Sequence, residues 1–310
     1  MKYKTFDKPL KDFAVASIHI FNMSHVPFNR GLKSAQVSNP YEKFKIIQTA
    51  IETFLQFDPG VPLDKFIIVN SGTDCIMTKK YYDSLNSTKT KFDATIEVLD
   101  APDNLYPGPY GARMAVYRKY PDYKYYFDCD NDCIPLKDNW YKDGLDLLQS
   151  DSEIGLVGAN ISEQPYQCKN NIKWIDVDGK EIPPPSFKYN SGFYTFIPGH
   201  IYKLFDKYWG PNWFTQGKDY VTSTGSQGEL GFPFRIMQLG YKISDFVQDN
   251  VDTFYSYIVP DRFFENKTIG NINEYPSKRF LCPFYHAQLK LLDPQKWEWI
   301  QNYVRQKFFK

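Results

Sequence analysis

Apolar positions along this chain switch repeatedly between short unbroken runs and runs spaced for one helical face. Phe13 to Phe21 (FAVASIHIF) is nearly all apolar and predicts a buried strand, whereas Tyr41 to Phe57 (YEKFKIIQTAIETFLQF) repeats its apolar residues at helical spacing. A second strand is expected at Phe66 to Asn70, ending in the turn-rich SGTD, and a helix at Ile76 to Leu85. Next come a strand at Ala94 to Leu99, the loop APDNLYPGPYG, a helix at Tyr110 to Tyr120 and a strand at Tyr125 to Phe127. Strands alternating with helices predict an α/β fold. Its central sheet should be mainly parallel and flanked by helices, with ligands at the carboxyl ends of the strands.

The pattern then loosens. A helix is expected over Pro135 to Leu148 and a strand over Gly155 to Ala159. Lys173 to Val177 and Lys180 to Ile182 read as a hairpin about Asp178-Gly179. A strand follows at Asn190 to Ile197, then a helix at Gln227 to Leu239 and a strand at Lys242 to Phe246. The end of the chain, Asp293-Pro294 and QKWEWIQNYVRQKFFK, predicts a C-terminal helix with Trp297, Ile300, Val304 and Phe308 near one face. Packing on the body is the main use expected of that face, and peripheral membrane contact the lesser one.

Composition narrows the function. A chain of 310 residues with no convincing linker suits one elaborated α/β domain spanning 1–310. The net charge of +1 leaves no footprint of nucleic-acid binding. Five cysteines at scattered spacings (Cys75, Cys129, Cys133, Cys168 and Cys282), behind a start that lacks a signal-peptide core, lead us to expect a reducing cytoplasm. The sequons at Asn22, Asn86, Asn160 and Asn266 are then accidental. No apolar run is long enough to span a membrane. Aromatic residues, at 18% of the chain, raise the expectation of a ligand that stacks on rings.

The strongest chemical signal is YYFDCDNDC, residues 125–133, in which a strand runs into Asp128, Asp130 and Asp132. Residues i and i+2 of a strand project to one side roughly 6.6 Å apart. A D-x-D at a strand mouth can thus offer carboxylates to one Mg²⁺ or Mn²⁺ and leave positions for substrate phosphates. A calcium loop is the non-enzymatic alternative. It fails at position 6, where Cys133 replaces the turn glycine, and at position 12, where Asn139 replaces a bidentate Glu.

Taken in order, these pieces resemble a nucleotide-sugar glycosyltransferase of the GT-A fold, most similar to the inverting family 2 enzymes, over roughly residues 12 to 290. The matching segments are IVNSGTD (68–74), GARMAVYRKYPDYKYYFDCDND (111–132), YNSGFYTF (189–196), QGELGFPFRIMQLGYKI (227–243) and PFYHAQLK (283–290). The resemblance implies a donor-binding half at 12–135, an acceptor half with a smaller sheet at 150–290, and the C-terminal helix at 291–310. It assigns Asn22, Asn70, Arg113, Asp128 and Asp130 to the donor, and Asp128, Asp130, Asp132 and His286 to the metal. Arg113 would meet the donor diphosphate; its structural alternative is a salt bridge on a helix surface. Glu229 stands where the family carries its catalytic Asp, and Gly231 where a second acid is frequent.

The implied reaction moves a sugar from a nucleoside diphosphate sugar, UDP by expectation, to a hydroxyl on a glycan, a lipid-linked intermediate, a protein or a modified nucleobase. A retaining glycosyltransferase and a sugar nucleotidyltransferase are the enzymatic alternatives. FNMSHVPFNRGLKS, after the first strand, lacks the glycine-rich phosphate loop expected of the latter.

Overall fold

A computed structural model describes residues 11–20, 40–72, 75–102, 105, 108–130, 134–135, 138–158, 161–162, 174–175, 180–182, 189–190, 194–210, 213, 231–245 and 280–281. Among them the chain forms β1 (Lys11–Ile20), α1 (Pro40–Gln56), β2 (Leu63–Asn70), α2 (Ile76–Leu85), β3 (Thr95–Asp100), α3 (Gly108–Lys119) and β4 (Tyr123–Asp130). After the two-residue β5 (Ile134–Pro135) come α4 (Trp140–Ser150), β6 (Ile154–Gly158), and the short β7 (Ile161–Ser162), β8 (Trp174–Ile175), β9 (Glu181–Ile182) and β10 (Tyr189–Asn190). β11 (Tyr194–Pro198), α5 (Gly199–Trp209), α6 (Gly231–Gln238), β12 (Lys242–Asp245) and β13 (Phe280–Leu281) complete the order.

Seven strands make the central sheet, in the order β12-β6-β11-β4-β1-β2-β3. All run parallel except β11, which pairs antiparallel with both β4 and β6. Strands covered on both faces need apolar residues in succession, and FIIV of β2 is buried throughout. The side chains divide by alternation. Phe66, Ile68, Phe127, Val157 and Phe196 enter a core with α1, α2 and α4, while Ile67, Val69, Tyr126, Leu156 and Ile197 enter one with α3, α5 and α6.

The alternating α/β plan and most element positions agree with the sequence reading, and three details differ. The helix expected from Pro135 starts at Trp140. Ile134–Pro135 instead pairs with Phe280–Leu281, and the amides of Asn139 and Lys142 donate to the carbonyls of Asp58 (2.7 Å) and Pro59 (2.9 Å). The hairpin expected about Asp178-Gly179 holds in its described residues, where Trp174–Ile175 pairs antiparallel with Glu181–Ile182. The strand expected at Asn190 to Ile197 is split between β10 and β11. Finally, α5 had no counterpart in the sequence reading. Pro198 and Gly199 resemble breakers, but Gly199 answers a packing need: a Cβ there would lie 2.0 Å from the carbonyl oxygen of Tyr123. The expected C-terminal helix lies outside the described residues.

Candidate active site at the carboxyl end of the sheet

Chain order reverses at β1. From there the chain steps outward through β2 and β3, then returns to lay β4 on the other side of β1. Open α/β sheets bind ligands at such a reversal, outside the carboxyl ends of the strands. Asp130, the last residue of β4, stands level with His19 of β1, and Asn70 of β2 is level with Asp100 of β3. The D-x-D strand therefore ends at the reversal.

Asn70 is oriented from two sides. Its Nδ2 donates to Asp100 Oδ1 at 2.8 Å, and its Oδ1 accepts from the Gly72 amide at 3.2 Å. Gly72 takes φ +100°, a turn that favours glycine directly after the strand.

Behind the strand mouth lies a buried polar cluster. Arg113 Nη2 donates to Asp128 Oδ2 at 2.5 Å, and Thr195 Oγ1 donates to Asp128 Oδ1 at 2.5 Å. The ion pair is almost fully enclosed, with side-chain exposures of 2% for Arg113 and 10% for Asp128. The Arg113 guanidinium packs over the Tyr110 ring at 4.2 Å and near that of Phe232 at 5.6 Å, within cation–π range. Burial works against its charge, but the Asp128 carboxylate overcomes this and holds the guanidinium protonated more firmly than usual. Nε and Nη1 of Arg113, and the hydroxyl of Tyr202, are buried without a hydrogen-bond partner among the described residues.

Of the sequence-derived set, the structure brings Arg113 against Asp128, and it ends β2 at Asn70 and β4 at Asp130 along the carboxyl edge of the sheet. Arg113 does form a salt bridge, though inside the protein and not on a helix surface. Asn22, Asp132, Glu229 and His286 lie outside the described residues. Two participants were not anticipated, Asp100 and Thr195. Thr195 faces Asp128 only through the antiparallel β11–β4 register, which depends on distant pairing. Among the described residues no group of three or more His, Cys, Asp or Glu side chains could hold a metal ion. Asp128 is held by Arg113 at Oδ2 and by Thr195 at Oδ1.

No family model and no curated protein matches the chain. Similar solved structures include 4-diphosphocytidyl-2C-methyl-D-erythritol synthase from Anaerococcus prevotii, at 14% identity and TM-score 0.38, covering 80% of this chain and 98% of that one. Another is the inositol-1-phosphate CTP transferase from T. maritima, at 10% identity and TM-score 0.36, covering 76% and 86%. A third is S. aureus TarS 1–349, at 11% identity and TM-score 0.41, covering 83% and 66%. This chain's own fold is α/β. Its helices flank a mainly parallel sheet with the D-x-D strand at the centre. Among the described residues no helix is long and apolar enough to cross a membrane.

Proposed function

We propose that this chain is a transferase that takes a sugar from a nucleoside diphosphate sugar, a UDP-sugar in the first instance, and delivers it to a hydroxyl acceptor. The observation that carries this reading is the D-x-D at the end of β4, beside the reversal in strand order. Asn70, fixed by Asp100 and Gly72, supports it as a contact for the base or ribose.

In the reaction the bond from the sugar C1 to the diphosphate oxygen breaks and a bond from C1 to the acceptor oxygen forms. Glu229 takes the acceptor proton on the face opposite the leaving group, which inverts the anomeric centre. Asp130, with Asp132 and His286, would hold a Mn²⁺ or Mg²⁺ whose charge offsets that of the departing diphosphate. General-base help is worth roughly 10²- to 10⁴-fold. Glu229→Gln should therefore lower turnover by that order and leave donor binding intact; undiminished turnover would remove Glu229 from the role.

The reading is tested by thermal unfolding with UDP-, GDP- and CMP-sugars, each with and without Mn²⁺. A ligand at a hundred times its Kd adds about 2.7 kcal/mol. Stabilisation should require nucleotide and cation together. A shift produced equally by Mn²⁺ or Ca²⁺ alone would favour a plain cation-binding protein instead.

A further inference from the structure

We propose that Asp100 is a positioning residue for the nucleotide base: it holds the Asn70 carboxamide in one of its two orientations and so sets the choice between uracil and cytosine. This inference rests on the nucleotide-sugar reading and sharpens it at the base.

A carboxamide is nearly symmetric in shape, so it can turn over and exchange its oxygen and nitrogen at little steric cost. At Asn70 the neighbours oppose the exchange. The Gly72 amide can only donate, and it meets Oδ1 at 3.2 Å. The Asp100 carboxylate can only accept once ionised, and its Oδ1 meets Nδ2 at 2.8 Å. Turned over, the group would set N–H against N–H on one side and oxygen against oxygen on the other.

Strand register builds the pair. Asn70 and Asp100 are the last residues of two parallel neighbours, β2 and β3, and stand level with each other at the carboxyl edge of the sheet. Gly72, at φ +100°, then turns its amide back onto the Asn70 side chain. Asp100 itself is exposed and β3 is the outermost strand, so the carboxylate can be removed without opening a cavity in either apolar core.

Uracil and cytosine differ at N3, which carries a hydrogen in the first and a lone pair in the second. A carboxamide fixed with its oxygen toward N3 attracts uracil and repels cytosine; turned over, it would do the reverse. Without Asp100 the choice between these orientations falls to the Gly72 contact, the longer of the two hydrogen bonds. The orientation is then weakly held, and the discrimination with it.

Calorimetry with UDP and with CDP, each in Mn²⁺, gives the ratio of the two Kd values, in which a general loss of affinity or of folded protein cancels. The parent should prefer UDP by about fivefold or more, the lower end of what one base-edge contact discriminates. Asp100→Ala should shrink that preference by about threefold or more, the scale of one hydrogen bond. In an Asn70→Ala background the same change should have no further effect, since Asp100 acts through Asn70. A parent that binds UDP and CDP alike, a preference undiminished in Asp100→Ala, or an equal fall with Asn70 already removed would each overturn the proposal. Failure of the parent to bind any nucleoside diphosphate is a different result: it would remove the nucleotide-sugar reading, and the role of Asp100 with it.

Discussion

The two faces of the central sheet are built on different principles, and β4 belongs to both. Toward α1 and α4 it presents Phe127, whose ring lies 4.7 Å from Phe196 and 5.0 Å from Trp140, with Phe54 closing the group 5.0 Å from Trp140. Toward α3 and α5, one residue further along, it presents Asp128 to Arg113. The first face gains stability by removing apolar area from water. The second carries buried charge, which contributes little net stability even when paired. Buried ionised groups were thus accepted on the face toward α3.

Single substitutions should separate the faces. The largest effects are expected from Phe127→Ala, about 3–5 kcal/mol through the lost aromatic packing, and from Arg113→Met, about 3–5 kcal/mol through the stranded carboxylate. Only the second should be recoverable. Arg113→Met with Asp128→Leu replaces the ion pair by apolar volume, and urea unfolding should return most of the loss. If the double change is as damaging as the sum of its parts, the contrast between the faces is wrong.

A somewhat smaller effect is expected at His200, in the first turn of α5, whose ring lies 5.5 Å from that of Tyr241. Burial pushes the imidazole down to about 4 from its ordinary 6.5. The folded protein thus keeps His200 neutral while the unfolded chain takes up a proton as the pH falls below 6.5. Stability is complete above that value and declines toward pH 4, by about 3 kcal/mol in all. His200→Gln should flatten the decline by that amount in urea unfolding at pH 7 and pH 4; parallel profiles would exclude His200 as its source.

Much of this plan was legible because the signals are local. FIIV and the strand that ends at Asp130 each declare themselves within a few residues. Long-range matters were not legible. The opposition of Thr195 to Asp128 depends on register between segments 67 residues apart in sequence. The burial of Arg113 depends in part on Phe232, from a helix distant along the chain. α5 was hidden for a related reason, since Gly199 serves the close approach of Tyr123 and not a turn.

The reversed direction of β11 sorts the connections of the fold. β6 ends at the carboxyl edge of the sheet and β11, running the other way, begins there, so residues 159–193 leave and re-enter on that single side. A parallel strand in that place would have obliged the chain to travel back to the opposite rim. Insertions between Gly158 and Tyr194 can therefore lengthen, shorten or change character without altering the pairing of the seven central strands.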